Sequence, residues 1–369
     1  MHPTEYSQFL KRWTEKFDPE QIWLKEAGST APTESAIRED WQKNVPLSTP
    51  EFDRRARILR NQTQAGLIYR LLSGLDTFED TVRVTTQMAE NALDASLAHH
   101  RVILDSAFGA PSNPALTILG MGKLGGRELN LSSDIDIFCV FAEDGETSGP
   151  RVRDHGDYFT RLTQQLAKSL DALTVDGFVA RVDQRLRPWG SAGQLAIPVV
   201  ACEDYYEVHG REWERFALLK ARPVAGDRDL GTNLLDSLKP FMYRKYLDFG
   251  VFESIRDLKS KIETEVRRNG RDQNVKVGRG GIREIEFIVQ SMQLLRGGQI
   301  PTLQVTGFLE ALSALVDESI LTADDGRQLR EDYLWLRHVE HVIQAENDQQ
   351  TQELPADSGP LAAVLGFES

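Results

Sequence analysis

Residues 120–138 read GMGKLGGRELNLSSDIDIF, and no other stretch limits the possible folds of this chain so strongly. In an extended backbone, side chains two apart share a face, so Asp134 and Asp136 point the same way while Ile135 and Ile137 turn to the opposite side and a core. Two adjacent carboxylates repel. A cation between them relieves the repulsion, and hard oxygen ligands at this spacing suit Mg²⁺, which keeps waters and takes further ligands from phosphates. The competing reading is a pair of solvated charges at a strand edge. The glycines at 120, 122, 125 and 126 let a backbone approach a phosphate closely and turn its N–H groups toward it, with Lys123 and Arg127 adding positive charge. A plain turn with a surface lysine is the alternative.

A third carboxylate is available downstream in RVDQRLRP, residues 181–188. Read as a strand, this segment alternates Arg181, Asp183, Arg185 and Arg187 onto one face and Val182, Leu186 and Pro188 onto the other. One acid among three bases reads as an anion site in which Asp183 completes the metal cluster; an edge strand facing water is the other possibility. Three carboxylates with two metals would clamp an in-line displacement at phosphorus.

Residues 276–295, KVGRGGIREIEFIVQSMQLL, place apolar side chains at 282, 285, 288, 289, 292 and 295 in one helical stripe, with Arg283, Glu286 and Gln290 on the polar side. Gly278, Gly280 and Gly281 precede that helix, whose N-terminal N–H groups could receive an anion, with Arg279 or Arg283 reaching a phosphate. An ordinary packed helix behind a glycine-rich loop explains the pattern equally. His338, Glu340 and His341 have a spacing compatible with a metal but are read as an exposed helix face. Tyr205, Tyr206 and Trp213 are read as packing residues. There is no Gly-x-x-x-x-Gly-Lys-Ser/Thr loop, no histidine zinc motif and no Gly-x-Ser-x-Gly elbow.

A formal net charge of -13 argues against a protein that coats nucleic acid. Cys139 and Cys202 are the only cysteines, and the first lies in an apolar run, so a disulfide scaffold is not expected. With no apolar leader and no apolar run near the roughly 18 residues of a membrane span, a cytoplasmic, membrane-free protein is expected. Helical spacing runs from Pro50 to Asp105. GAPSNP then breaks the chain, ALTILGMG and DIDIFCVF read as strands, DHGDYFTRLTQQLAKSLDAL as a helix and FVARVDQRLRP as a third strand. Beyond Asp229 the pattern is helical again, in FESIRDLKSKIETEVRR, GGIREIEFIVQSMQLL and GRQLREDYLWLRHVEHVIQ. The ending LAAVLGFES carries no stop signal and suggests part of a longer chain.

Four segments in this order, GMGKLGGRELNLSSDIDIF, DGFVARVDQRLRPWGSAG, EDYYEVHGREWERFALLKAR and GRGGIREIEFIVQ, resemble the N-terminal half of the bifunctional glutamine synthetase adenylyltransferase/adenylyl-removing enzymes, members of the polymerase-beta-like nucleotidyltransferase superfamily. The resemblance runs from about residue 50 to the C-terminus. It implies an α+β fold: a polymerase-beta-like core with a small mixed sheet over residues 111–228, a helical region over 1–110 and a helical domain over 229–369. That family attaches AMP to a tyrosine of glutamine synthetase with one domain and removes it with another. NLSSDID looks like the removing domain, whereas the attaching domain reads closer to GYGSDLD.

The implied reaction is phosphorolysis of adenylyl-tyrosine by inorganic phosphate, giving ADP. Asp134, Asp136 and Asp183 would hold Mg²⁺, two ions by analogy. Lys123, Gly125, Gly126, Ser133 and Arg185 or Arg187 would hold phosphate and nucleotide. Adenylylated glutamine synthetase and the uridylylated signalling protein PII are the implied partners. ATP-dependent adenylylation of the same tyrosine, and a silent module that binds glutamine synthetase or PII, are the rival readings.

Overall fold

The computed structural model describes residues 2–42, 48–243 and 273–367. The helix expected over FESIRDLKSKIETEVRR, residues 252–268, lies outside the described residues.

Four helices open the chain: α1 (Pro3–Tyr6), α2 (Gln8–Phe17), α3 (Ile22–Ser29) and α4 (Glu34–Gln42). Two long helices follow, α5 (Thr49–Leu72) and α6 (Phe78–Phe108). Each starts at a capping box, Ser48 with Glu51 and Thr77 with Asp80, in which the two side chains satisfy N–H groups the first helical turn leaves free. Helix α6 stops at Gly109, whose φ of 79° and close approach to the Gly149 backbone exclude a Cβ.

The expected strands are β1 (Leu116–Gly120) and β2 (Ile135–Phe141), joined by a turn that contains the short helix α7 (Gly122–Gly125). Helix α8 (His155–Asp171) and β3 (Val182–Asp183) come next, then β4 (Ala196–Pro198), α9 (Val199–Val208), α10 (Glu212–Leu218), β5 (Arg222–Gly226) and α11 (Arg228–Met242). The described C-terminal part holds α12 (Ile282–Arg296), α13 (Phe308–Asp317), α14 (Ala323–Asn347) and α15 (Gly359–Val364).

Among the described residues five strands form one mixed sheet in the order β3-β2-β1-β5, with β4 also on β2. Strand β1 is antiparallel to β2 and β5, whereas β3 and β4 run parallel to β2. The period of two divides its side chains between two helical layers. Ile118, Ile137 and Cys139 pack with α5, α6 and α8, while Leu119, Phe138 and Val140 pack with α9, α10 and α11. Asp136 shares the parity of Phe138 and so sits at the end of the second face. This α+β architecture with helices on both sides matches the expectation.

The third strand is much shorter than its sequence suggested. Only Val182 and Asp183 pair with β2. The Asp183 carboxylate then accepts the Arg185 N–H at 2.8 Å, closing a turn that takes Arg185 and Arg187 out of the strand, so their alternation with Asp183 is lost. Tyr205 and Tyr206 are buried as expected, but Trp213 is 39 % exposed. The face of α14 that carries Glu340 and His341 is buried, not exposed. Both cysteines are buried and unpaired. Among the described residues no helix is long and apolar enough to cross a membrane.

Candidate functional site

Parallel pairing of β2 with β3 sets Asp136 directly beside Asp183, on strands about 4.8 Å apart. Asp134 stands just before β2 on the same side. Burial pushes the Asp136 carboxyl up to about 7, the neighbouring charges of Asp183 and Asp134 push the same way, and Lys276 and Arg185 oppose them. The side chain of Asp136 receives no hydrogen bond from the described residues.

Its two neighbours are better served. Asp134 accepts Arg181 Nε at 2.6 Å, and that guanidinium also donates to Ser132 O and lies over the Phe178 ring. Asp183 is held below the usual carboxylate range chiefly by hydrogen bonds from Arg185, whose side chain is 79 % exposed. With the flanking carboxylates turned to guanidiniums, no three acidic, histidine or cysteine side chains among the described residues are arranged to hold a metal. The donor chemistry nevertheless fits a divalent, oxygen-seeking ion: three carboxylates stand together, Asp136 receives no side-chain hydrogen bond from the described residues, and Arg185 is exposed enough to leave Asp183. Gly122 adds a reason for its own identity, because at φ 52° a Cβ there would stand 2.8 Å from Asp136 Oδ2.

The rest of the glycine turn departs from the phosphate cradle. A Cβ on Gly125 would overlap Lys220 O, so this glycine is required by close backbone packing toward β5. The N–H groups of Gly125 and Gly126 donate to Met121 O and Gly122 O. Lys123 turns away from the carboxylates and places Nζ 3.0 and 3.1 Å from the two oxygens of Glu340 on α14. Arg187 is buried and braces its own loop through Gln184 O, Ser191 O and Gly193 O. Ser133 is half-buried next to Asp134, and Arg185 is the exposed arginine of the site.

The glycine run ahead of α12 leaves no open anion site. Ile282 and Arg283 donate their N–H groups to Val275 O and Lys276 O, so a loop of the chain itself closes this helix end. Arg279 and Arg283 are exposed, and Glu286 turns inward to Lys220.

Two contributions escaped sequence reasoning. Lys276, the first residue of KVGRGG, lies near enough to Asp136 to oppose the upward push on it. The second is the inward face of α14, where Arg337, Glu340, His341 and Gln344 are all fully buried. Standing at i, i+3, i+4 and i+7, they mark a single helical face, but charged side chains on such a face normally mean solvent.

Residues 5–237 match the glutamate-ammonia ligase adenylyltransferase family, and residues 256–369 are similar to the GlnD PII-uridylyltransferase family. The bifunctional glutamine synthetase adenylyltransferase/adenylyl-removing enzyme of Hahella chejuensis is 48% identical over 330 residues, covering 87% of this chain and 34% of the relative. Those of Pseudomonas putida and Pseudomonas aeruginosa are 46% and 45% identical, covering 87% and 86% of this chain and 34% of each relative. The chain therefore spans about one third of the length of the curated relatives it matches.

Proposed function

Because this chain belongs to the glutamate-ammonia ligase adenylyltransferase family, we propose that its carboxylate site transfers a nucleotidyl group on glutamine synthetase, and that the reaction is removal of AMP from an adenylylated tyrosine by phosphorolysis. The observation that carries the reading is the pairing of Asp136 with Asp183 beside Gly122, which gathers carboxylates around a buried Asp136 that receives no side-chain hydrogen bond from the described residues. The wording NLSSDID favours removal over attachment.

In the proposed reaction an oxygen of inorganic phosphate bonds to the AMP phosphorus as the bond from phosphorus to the tyrosine oxygen breaks, leaving ADP and tyrosine. Phosphate is already an anion, so the chain need not supply a general base, and the phenolate, with a free pKa of about 10, is a tolerable leaving group. Asp134, Asp136 and Asp183 would hold Mg²⁺, two ions in this proposal. An ion held by these carboxylates would supply positive charge to offset the negative charge of the reacting phosphoryl group and the leaving phenolate.

The residues of the chain position and compensate. Arg185, exposed and paired among the described residues with Asp183 of its own loop, is the group placed to leave Asp183 and bind phosphate or nucleotide oxygens. Lys276, whose charge acts on Asp136, and Ser133, which precedes Asp134, are assigned the same role. Gly122 lets the site close onto Asp136 without a side chain intervening. Arg187 shapes the loop that presents Arg185. Lys123, Gly125 and Gly126 set the turn. The proposed partners are adenylylated glutamine synthetase and the uridylylated PII protein, the latter supported by the similarity of residues 256–369 to a PII-modifying enzyme. A cytoplasmic location goes with these partners.

The test is incubation with adenylylated glutamine synthetase and Mg²⁺, with and without phosphate. Phosphate-dependent ADP release is expected, and Asp136→Asn should lower it by at least about 100-fold, since it removes a charge that acts on the transferring group. AMP incorporation from ATP instead would favour attachment. Equal behaviour of Asp136→Asn and wild type would leave only a binding module.

A further inference from the structure

The carboxylate pair is approached by the chain from two directions, and α14 holds both. On one side, the turn after β1 is stitched to the pair by Met121 N–H donating to Asp136 O at 2.8 Å, and Gly122 lies against the Asp136 carboxylate. Lys123, the next residue, reaches Glu340 with Nζ at 3.0 and 3.1 Å. On the other side, the segment Glu128–Ser132 leads into Asp134. Arg337 donates to Glu128 O at 2.8 Å and to Asn130 Oδ1, His341 Nε2 lies 3.1 Å from that same oxygen, and Gln344 Oε1 accepts the Ser132 N–H at 3.1 Å. Arg337 Nε lies 3.3 Å from Glu340 Oε2 and so ties the two grips together.

Placing these charges where water cannot reach them is costly. A buried ion pair commonly gives no more stability than apolar residues of the same volume. Glu340 and Arg337 are both 0 % exposed, and the Lys123 side chain is 12 % exposed. Burial by itself would raise the Glu340 carboxyl, yet the charges of Lys123 and Arg337 hold it down at about 2, so it remains an anion. Stability therefore gives a weak reason for the cluster, whereas its contacts converge on the backbone around Asp134 and Asp136.

We propose that Glu340 is a positioning residue for the carboxylate site: by holding Lys123 it fixes the glycine turn against Asp136, and through α14 it makes the geometry of the site depend on an element more than 200 residues away in sequence. This rests on the reading of Asp134, Asp136 and Asp183 as the reactive, cation-binding centre.

Removing one charge strands the other, so Glu340→Gln or Lys123→Met alone can fail to fold. The double variant Lys123→Met/Glu340→Gln removes both charges and retains a polar partner for Arg337. Two readouts on the full chain decide the matter: kcat and KM of phosphate-dependent ADP release, and Mn²⁺ affinity followed by electron paramagnetic resonance, with Asp136→Asn marking which binding belongs to the site. The double variant is expected to unfold cooperatively at a Tm within a few degrees of wild type. Its kcat should be at least ten-fold lower at unchanged KM for glutamine synthetase, and its Mn²⁺ affinity at least ten-fold weaker.

A stably folded double variant with wild-type kcat and Mn²⁺ affinity overturns the proposal while leaving the functional reading intact. If wild type releases no ADP but binds Mn²⁺ through Asp136, phosphorolysis fails as the function and the Mn²⁺ comparison alone decides the role of Glu340. Absence of Asp136-dependent Mn²⁺ binding in wild type overturns both.

Discussion

Asp136 combines most of what sets the carboxylate site apart: a strand position beside another carboxylate, burial, and no hydrogen-bond donor of its own among the described residues. Its folded-state pKa of about 7 lies above the ordinary 3.8, so the fold penalises the charged form. The group costs nothing below pH 4. Stability is lost as pH rises from there through 7, by up to about 4 kcal/mol in cation-free buffer. Asp136→Asn should accordingly gain Tm over wild type, with a difference that grows from pH 5 to pH 8 and shrinks when Mg²⁺ is added. A difference that stays flat with pH would contradict this. At this scale the sequence spoke clearly about the Asp-x-Asp alternation, because strand periodicity depends on neighbours alone. It misdirected the cations. Whether Lys123 faces a phosphate or a partner depends on Glu340, 217 positions away, and Arg187 looked like a ligand only while its loop was read as a strand.

Elements were legible where one local rule governs them. The helical spacing of α5 and α6 and the apolar runs of β1 and β2 needed no knowledge of distant contacts, whereas β5 and the shortness of β3 are set by pairing. Of the two readings open ahead of α12, an anion site or an ordinary packed helix, the carbonyls of Val275 and Lys276 close the first, a closure that local glycine content cannot reveal. The packing of α5 on α6 carries its own pH dependence. His100 of α6 is 3 % exposed, lies 5.0 Å from the His99 ring and meets Phe52 of α5 edge-on at 6.3 Å. Burial pushes its imidazole down to about 4, with His99 adding to the effect and Asp53 opposing it. The fold thus favours the neutral ring: its contribution is complete above pH 6.5 and is lost as pH falls toward 4, by up to about 3 kcal/mol. Thermal melts from pH 7 to pH 4 should show a drop in wild type that is smaller in His100→Phe. Parallel drops in the two proteins would rule out His100 as the source.

Across the whole molecule the two ends of the chain meet, which no local pattern foretold. Residues 1–49 gave no indication of whether they fold apart. In the structure Tyr6 donates its hydroxyl to Val342 O and packs with Val339, Val342 and Ile343, while Ser7 Oγ donates to Ala345 O at 2.6 Å. Leu10, Trp13, Leu24, Ile37 and Trp41 belong to the same core cluster as Ala65 of α5, Leu93 of α6 and Ile137 of β2. Each large apolar side chain withdrawn from such a core costs about 1.5–3 kcal/mol, and five of them together rival the whole stability of an ordinary domain, about 5–15 kcal/mol. These helices also cover the end of α14, a few residues beyond Glu340, so losing them loosens the same helix that grips Lys123. Deletion of residues 1–48 is therefore expected to abolish the cooperative thermal transition, increase binding of an apolar dye and remove ADP release together. A truncated chain that melts cooperatively at the wild-type temperature and still releases ADP would show instead that the sheet and α14 stand without the N-terminal helices.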